Sequence, residues 1–324
     1  MTEAMDFMRD EIEAAARIVY QSMAPTPQIL WPLLSERAGC EVWVKHENHT
    51  PIGAFKLRGG LVYLHRLRQE HPKARGVIAA TRGNHGQSLA WAAACAGLRA
   101  VIVVPEGNNP EKNAAMRALG AELIEHGDDY QEAAEHAASL AEGLGLQLAP
   151  AFHPWLVQGV ATYALEFLRA VPDLDTVYVP IGMGSCICGM IAARDALGLD
   201  TRIVGVVAEG APAYADSFWA ETVMSTPTAN TIADGLACRV PDPTAVAIIG
   251  DGADRVLTVS DDAILAAMRV YFTDTHNLAE GAGAAPLAAL LAERDVNAGG
   301  KVGLVLSGGN ADRALYLQAL ATGE

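Results

Sequence analysis

The feature that most constrains this chain is an alternation in which strand-length apolar runs give way repeatedly to alanine-rich helical stretches, with no hairpin turn signal between them. Runs at 41–45, 76–80, 100–104, 122–125, 176–180, 202–208 and 301–306 read as strands. Helical patterns lie at 10–20, 87–96, 110–119, 128–142, 155–169, 186–197, 262–272, 284–294 and 312–321. Strands separated by helices cannot pair through tight turns, so the alternation predicts an α/β fold of parallel-rich sheets flanked by helices. Pro25 and Pro27 end the first helix, Pro110 opens another, and Gly143-Leu144-Gly145 closes the helix that begins near Asp128. The stretch 217–243 has mixed polarity and weak periodicity, and is expected to be irregular connection.

At 324 residues the chain suffices for two domains or one large α/β unit. Its formal net charge of -15 repels nucleic-acid phosphates and anionic membranes, and no Lys/Arg run reverses that field. The acidic start Met1-Thr2-Glu3-Ala4-Met5-Asp6 lacks the basic and apolar segments of a signal peptide, so a cytoplasmic protein is expected. Five scattered cysteines (Cys40, Cys95, Cys186, Cys188, Cys238) read as reduced thiols, and no zinc spacing is present. The apolar runs are too short to span a membrane.

Four stretches carry candidate chemistry. Lys56 follows a turn rich in constraint, Glu47-Asn48-His49-Thr50-Pro51-Ile52-Gly53-Ala54-Phe55, and opens a helix. An amine leaving such a turn is either an ordinary solvated lysine or a partly desolvated nucleophile toward carbonyl compounds. In open parallel sheets ligands bind beyond the carboxyl ends of strands, which singles out three loops. Thr81-Arg82-Gly83-Asn84-His85-Gly86-Gln87 follows the strand at 76–80, where Asn84 offers a donor and an acceptor or simply caps a helix. Gly182-Met183-Gly184-Ser185 precedes an alanine-rich helix, and backbone N–H groups there form a phosphate cradle or a tight turn. Its glycines do not meet the dinucleotide spacing, and Cys186 and Cys188 read as packed thiols. Ser307-Gly308-Gly309-Asn310 places a hydroxyl at a strand end, suited to a ring nitrogen or to an ordinary turn.

Taken in order, Gly53-Ala54-Phe55-Lys56-Leu57-Arg58-Gly59, Gly83-Asn84-His85-Gly86-Gln87, the loop at 182–185 and Ser307-Gly308-Gly309-Asn310 resemble the fold-type II pyridoxal-phosphate enzymes. The likeness is to their serine/threonine dehydratase and serine racemase branch, and it extends through Thr231-Ile232-Ala233-Asp234-Gly235-Leu236 and Glu280. The resemblance implies a two-domain, tryptophan synthase β-like architecture, with residues 1–67 and 150–324 as the large cofactor domain and 68–149 as the small substrate domain. It implies that Lys56 is the catalytic residue and carries pyridoxal 5'-phosphate. Phe55, Asn84, Gly182, Met183, Gly184, Ser185, Gly235, Glu280 and Ser307 would complete the cofactor site, and Thr81, Arg82, Gly83 and His85 the substrate site. The implied reaction is α,β-elimination, in which a threonine- or serine-type β-hydroxy amino acid yields a 2-oxo acid and ammonia. A homodimer is also implied.

Three departures shape the expectation. Arg82 stands where racemases of this branch carry a serine as opposite-face acid, and arginine cannot give up its proton near neutral pH. Racemisation is therefore not expected. Arginine's planar fork binds carboxylates, which points to 3-hydroxyaspartate, with phenylserine or another non-standard β-hydroxy amino acid as further alternatives. Met183 and Ser185 replace glycines in the phosphate loop. Glu209 lies near a position where relatives bind a cation, but the following residues do not keep the spacing, and no metal is assigned.

Overall fold

A computed structural model describes residues 7–321. Ten strands form two sheets: β1 (Gln28–Leu30), β2 (Glu41–His46), β3 (Gly76–Ala80), β4 (Arg99–Val104), β5 (Glu122–Glu125), β6 (Gln147–Leu148), β7 (Thr176–Pro180), β8 (Arg202–Ala208), β9 (Arg255–Val259) and β10 (Lys301–Leu306). The six-stranded sheet runs β1-β2-β10-β7-β8-β9 and the four-stranded sheet β5-β4-β3-β6. Every pairing is parallel except β1 with β2. The chain thus starts the larger sheet, leaves it to build the smaller one, and returns at β7.

Burial explains why the strand runs carry no alternation. Val77 and Ile78 of β3, Val103 and Val104 of β4, and Val177 and Val179 of β7 are fully buried, because helices cover both faces of a parallel sheet. Helix ends follow their local chemistry. Asn109 caps Pro110–Ala118 by accepting from Glu111 N (2.8 Å) and Lys112 N (3.1 Å), with Pro110 at the first position. The helix expected from Asp128 runs Tyr130–Leu144, capped by Asp129 and ended by left-handed Gly145.

Several elements escape the periodicity. β1 and β6 are too short to show one, and Pro32–Ala38 spans under two full turns. The helix Pro243–Gly252 and β9 also went unread, although Asp242 caps that helix by accepting from Thr244 N at 2.8 Å. The irregular stretch 217–243 holds the end of the helix Ala213–Trp219 and a short 3-10 turn at Asp234–Leu236. Cys186 and Cys188 pack in the core of the larger unit, and all five cysteines are free thiols. Among the described residues no helix is long and apolar enough to cross a membrane.

Candidate active site

The strand order sets the site. β2, β10 and β7 are neighbours, so the segments after them, carrying Lys56, Ser307 and Gly182, meet side by side. The Lys56 turn is stitched to the loop after β10: Phe55 N donates to Ser307 O and Gly309 N to Gly53 O, both at 2.9 Å. Thr50 braces it from within, its hydroxyl donating to Ala54 O at 2.8 Å and accepting from Ala54 N at 2.9 Å. Gly53 adopts φ +70°, a conformation that disfavours any side chain. Behind the turn, fully buried Arg58 binds Glu47 (Nε to Oε2, 2.7 Å) and Glu166 (Nη1 to Oε1, 2.6 Å). Lys45 completes this buried cluster, its Nζ 2.6 Å from Glu166 Oε2.

Lys56 opens the helix Lys56–Glu70 and is partly buried. Its Nζ donates to Ser185 Oγ at 3.1 Å and sits 4.9 Å from the Phe55 ring centroid. Burial pushes the amine below the usual lysine range, opposed by Cys186 and the Glu280 carboxylate. Among the described residues no carboxylate forms an ion pair with it.

Ser185 begins the helix Ser185–Leu197. Its N-cap is Gly184, which has no side chain to satisfy the first-turn N–H groups and adopts φ +95°. A Cβ on Gly184 would lie 2.7 Å from Ala245 Cβ, and one on Gly182 2.1 Å from Gly235 O. Close packing against Ala245 and Gly235 thus requires both glycines, and the helix start they lead into keeps uncapped first-turn N–H groups, as an anion site requires. Tyr214 holds it from behind, its hydroxyl donating to Met183 O at 3.0 Å.

Opposite stands the loop after β3. Asn84 Nδ2 donates to Glu280 Oε1 and Asn84 Oδ1 accepts from Asn310 Nδ2, both at 2.8 Å, leaving one amide hydrogen of Asn84 for another acceptor. Burial raises Glu280 to about 7; Lys112 and Asn84 lower it, and Asp234 raises it. His85 is held down to about 3 by burial and by the Lys56 charge, so its ring is neutral, and its buried Nε2 has no hydrogen-bond partner in the protein. Buried Thr81 accepts from Gly83 N at 3.3 Å. Arg82 is exposed; only its carbonyl is engaged, accepting from Asn108 Nδ2 at 3.3 Å, and among the described residues no acid pairs with its guanidinium. Ser307 is buried at the end of β10.

The structure thus links Lys56 to Phe55 and Ser185, the Lys56 turn to Ser307, Gly182 to Gly235 and Asn84 to Glu280, and brings the Lys56 charge to bear on His85 and Glu280; Arg82 is exposed on the loop that carries Asn84. Lys112, Asp234, Asn310 and Tyr214 were not singled out from sequence. Asn310 closes a motif already noted; nothing local marks Lys112, which is brought in by the packing of the two sheets. A pyridoxal phosphate fits the chemistry of these residues: a partly buried amine, a helix start with uncapped N–H groups, a free amide hydrogen on Asn84 and an orphaned buried imidazole nitrogen on His85.

Comparison with known proteins agrees. Residues 19–308 match the family described as pyridoxal-phosphate dependent enzyme. An L-threonine ammonia-lyase of Geobacter sulfurreducens is 37% identical over 279 residues, covering 86% of this chain and 69% of the relative. An L-threo-3-hydroxyaspartate ammonia-lyase of Saccharomyces cerevisiae is 32% identical over 308 residues, covering 95% of this chain and 94% of the relative. The structure of maize serine racemase superimposes with a TM-score of 0.90 at 29% identity, covering 97% of each chain. By the family match over residues 19–308, the relatives and the shared fold, the chain belongs to the pyridoxal-phosphate dependent enzyme family.

Proposed function

We propose that this protein is a pyridoxal-phosphate-dependent carbon–oxygen lyase that converts β-hydroxy amino acids of the threonine and serine type to 2-oxo acids and ammonia. The observation that carries it is the Lys56 amine, desolvated and held only by the Ser185 hydroxyl beside an uncapped helix start. Bound there, the cofactor supplies an electron sink that stabilises negative charge at the substrate α-carbon. The N–H groups at 182–185 and the Ser185 hydroxyl bind its phosphate, Asn84 donates its remaining amide hydrogen to the ring oxygen, and Ser307 meets the ring nitrogen as a neutral partner. Lys56 would hold the cofactor, and its amine would take the α-proton of the substrate. Thr81, Gly83 and neutral His85 receive the substrate carboxylate. Arg82 leaves the opposite face without an acid, which favours elimination over racemisation.

A second reading, elimination from 3-hydroxyaspartate, is favoured by the unpaired guanidinium of Arg82 and by the near full-length likeness to the yeast enzyme. The same proposal includes a homodimer in the cytoplasm, with 68–149 forming a small substrate domain against 1–67 and 150–324. The test is ammonia release from serine, threonine, 3-hydroxyaspartate and phenylserine by the cofactor-loaded protein. Release from at least one is expected; a loaded, visibly absorbing protein that releases ammonia from none overturns the proposal.

A further inference from the structure

Lys112 lies in the first turn of Pro110–Ala118, on the smaller-sheet side of the site. Its Cδ is 3.3 Å from where a Cβ on Gly83 would sit, so its methylenes run alongside the loop proposed to receive substrate. Its ammonium pairs with Asp234, in the turn next to Gly235 and the phosphate loop. The paired side chains line a cavity of about 210 Å³ that also has Glu280, Asn310 and Asp312 in its lining. Lys112 is the cation among those lining residues.

The carboxylates around that cavity are not equivalent. Asp312 accepts from Leu315 N at 2.8 Å, and Glu280 accepts from Asn84 Nδ2 at 2.8 Å with burial favouring its neutral form. Asp234 is the exposed one: its side chain is 51% accessible, against 13% for Lys112. An exposed carboxylate is readily rehydrated, whereas a covered ammonium needs a replacement anion. A substrate carboxylate is such an anion. The protein's overall negative field opposes a dicarboxylic substrate, whose second carboxylate makes it a net anion, and a covered local cation offsets that field. Arg82, which is exposed, is more strongly screened than the largely covered Lys112.

We propose that Lys112 sets side-chain specificity: in the substrate complex its ammonium leaves Asp234 and takes the carboxylate on the β-carbon of a dicarboxylic β-hydroxy amino acid, with Asp234 as the built-in competitor. This rests on the elimination reading above. The experiment measures kcat/KM for 3-hydroxyaspartate divided by kcat/KM for threonine in the cofactor-loaded enzyme. Lys112→Met lowers that ratio by about tenfold or more, Asp234→Asn raises it, and Lys112→Arg keeps it within about threefold. A purely structural clasp moves the Met and Asn variants the same way on both substrates and leaves the ratio unchanged, which overturns the inference. So does a wild-type enzyme that consumes threonine but not 3-hydroxyaspartate. Absence of ammonia from every β-hydroxy amino acid instead marks failure of the elimination reading itself.

Discussion

Lys45 and Lys56 are eleven positions apart and both are held below the usual lysine range by burial, yet their surroundings divide their roles. Lys45 is wholly enclosed and answered by acids: Glu166 lies at 2.6 Å, and the Thr26 carbonyl accepts at 2.7 Å. Lys56 is less enclosed, and the side chain its amine meets is a hydroxyl at 3.1 Å. Carboxylates around a buried ammonium stabilise the charged form and fix its position; their absence leaves the neutral amine within reach. Burial alone therefore does not make a nucleophile. What matters is burial without a counter-ion, next to a space a ligand can enter. The Arg58, Glu47, Glu166 and Lys45 cluster is charge-balanced, and it anchors the base of the turn that presents Lys56.

Substituting each lysine separates the two roles. Lys56→Ala should lower ammonia release at least about a thousandfold and abolish the loaded enzyme's visible absorbance, with little change in the melting temperature of the cofactor-free protein. Full activity in that variant removes Lys56 from the chemistry. Lys45→Met should do the reverse, costing about 3 kcal/mol of folding stability by denaturant titration because Glu166 loses a buried partner, while the visible band of the folded fraction persists. Loss of the band without loss of stability would place Lys45 in the site. The smallest effect concerns Glu280, the acid opposite Lys56, whose pKa is raised from 4.5 to about 7 chiefly by burial. A raised folded-state value means that this group's contribution to stability is complete below about 4.5 and is lost as pH rises through about 7. Glu280→Gln has no such loss. In the cofactor-free protein its melting temperature should gain a few degrees on wild type between about pH 5 and pH 8. A constant difference across that range would mean that Glu280 is not held neutral by burial.

Much of this was legible in the sequence because parallel sheets write themselves as uninterrupted apolar runs; β3, β5, β7, β8 and β10 have the bounds their runs suggest. The Lys56 turn, Asn84, the loop at 182–185 and Ser307 were legible because each lies directly after a strand or opens a helix. Short elements such as β1 and β6 were not, since two or three residues carry no period. The pairing of Lys112 with Asp234 was illegible for another reason. The two are 122 positions apart and on different elements, and only the packing of the two sheets joins them. Likewise nothing in the pattern around Glu166, on the helix Pro154–Ala170, shows that it answers both Lys45 and Arg58.

The place of β10 carries a consequence for how the protein is made. Among the described residues it is the last strand along the chain, but it lies between β2 and β7 and pairs in parallel with both. A nascent chain that has not reached residue 301 can hold the smaller sheet, but its larger sheet has a gap at the centre. Lys56 and the loop at 182–185 then have nothing to align them. Pairing across such separations is slow, because the loop-closure entropy comes before the contacts that compensate for it. The cofactor site therefore cannot be complete before β10 has paired, and cofactor capture reports the closing of the larger sheet.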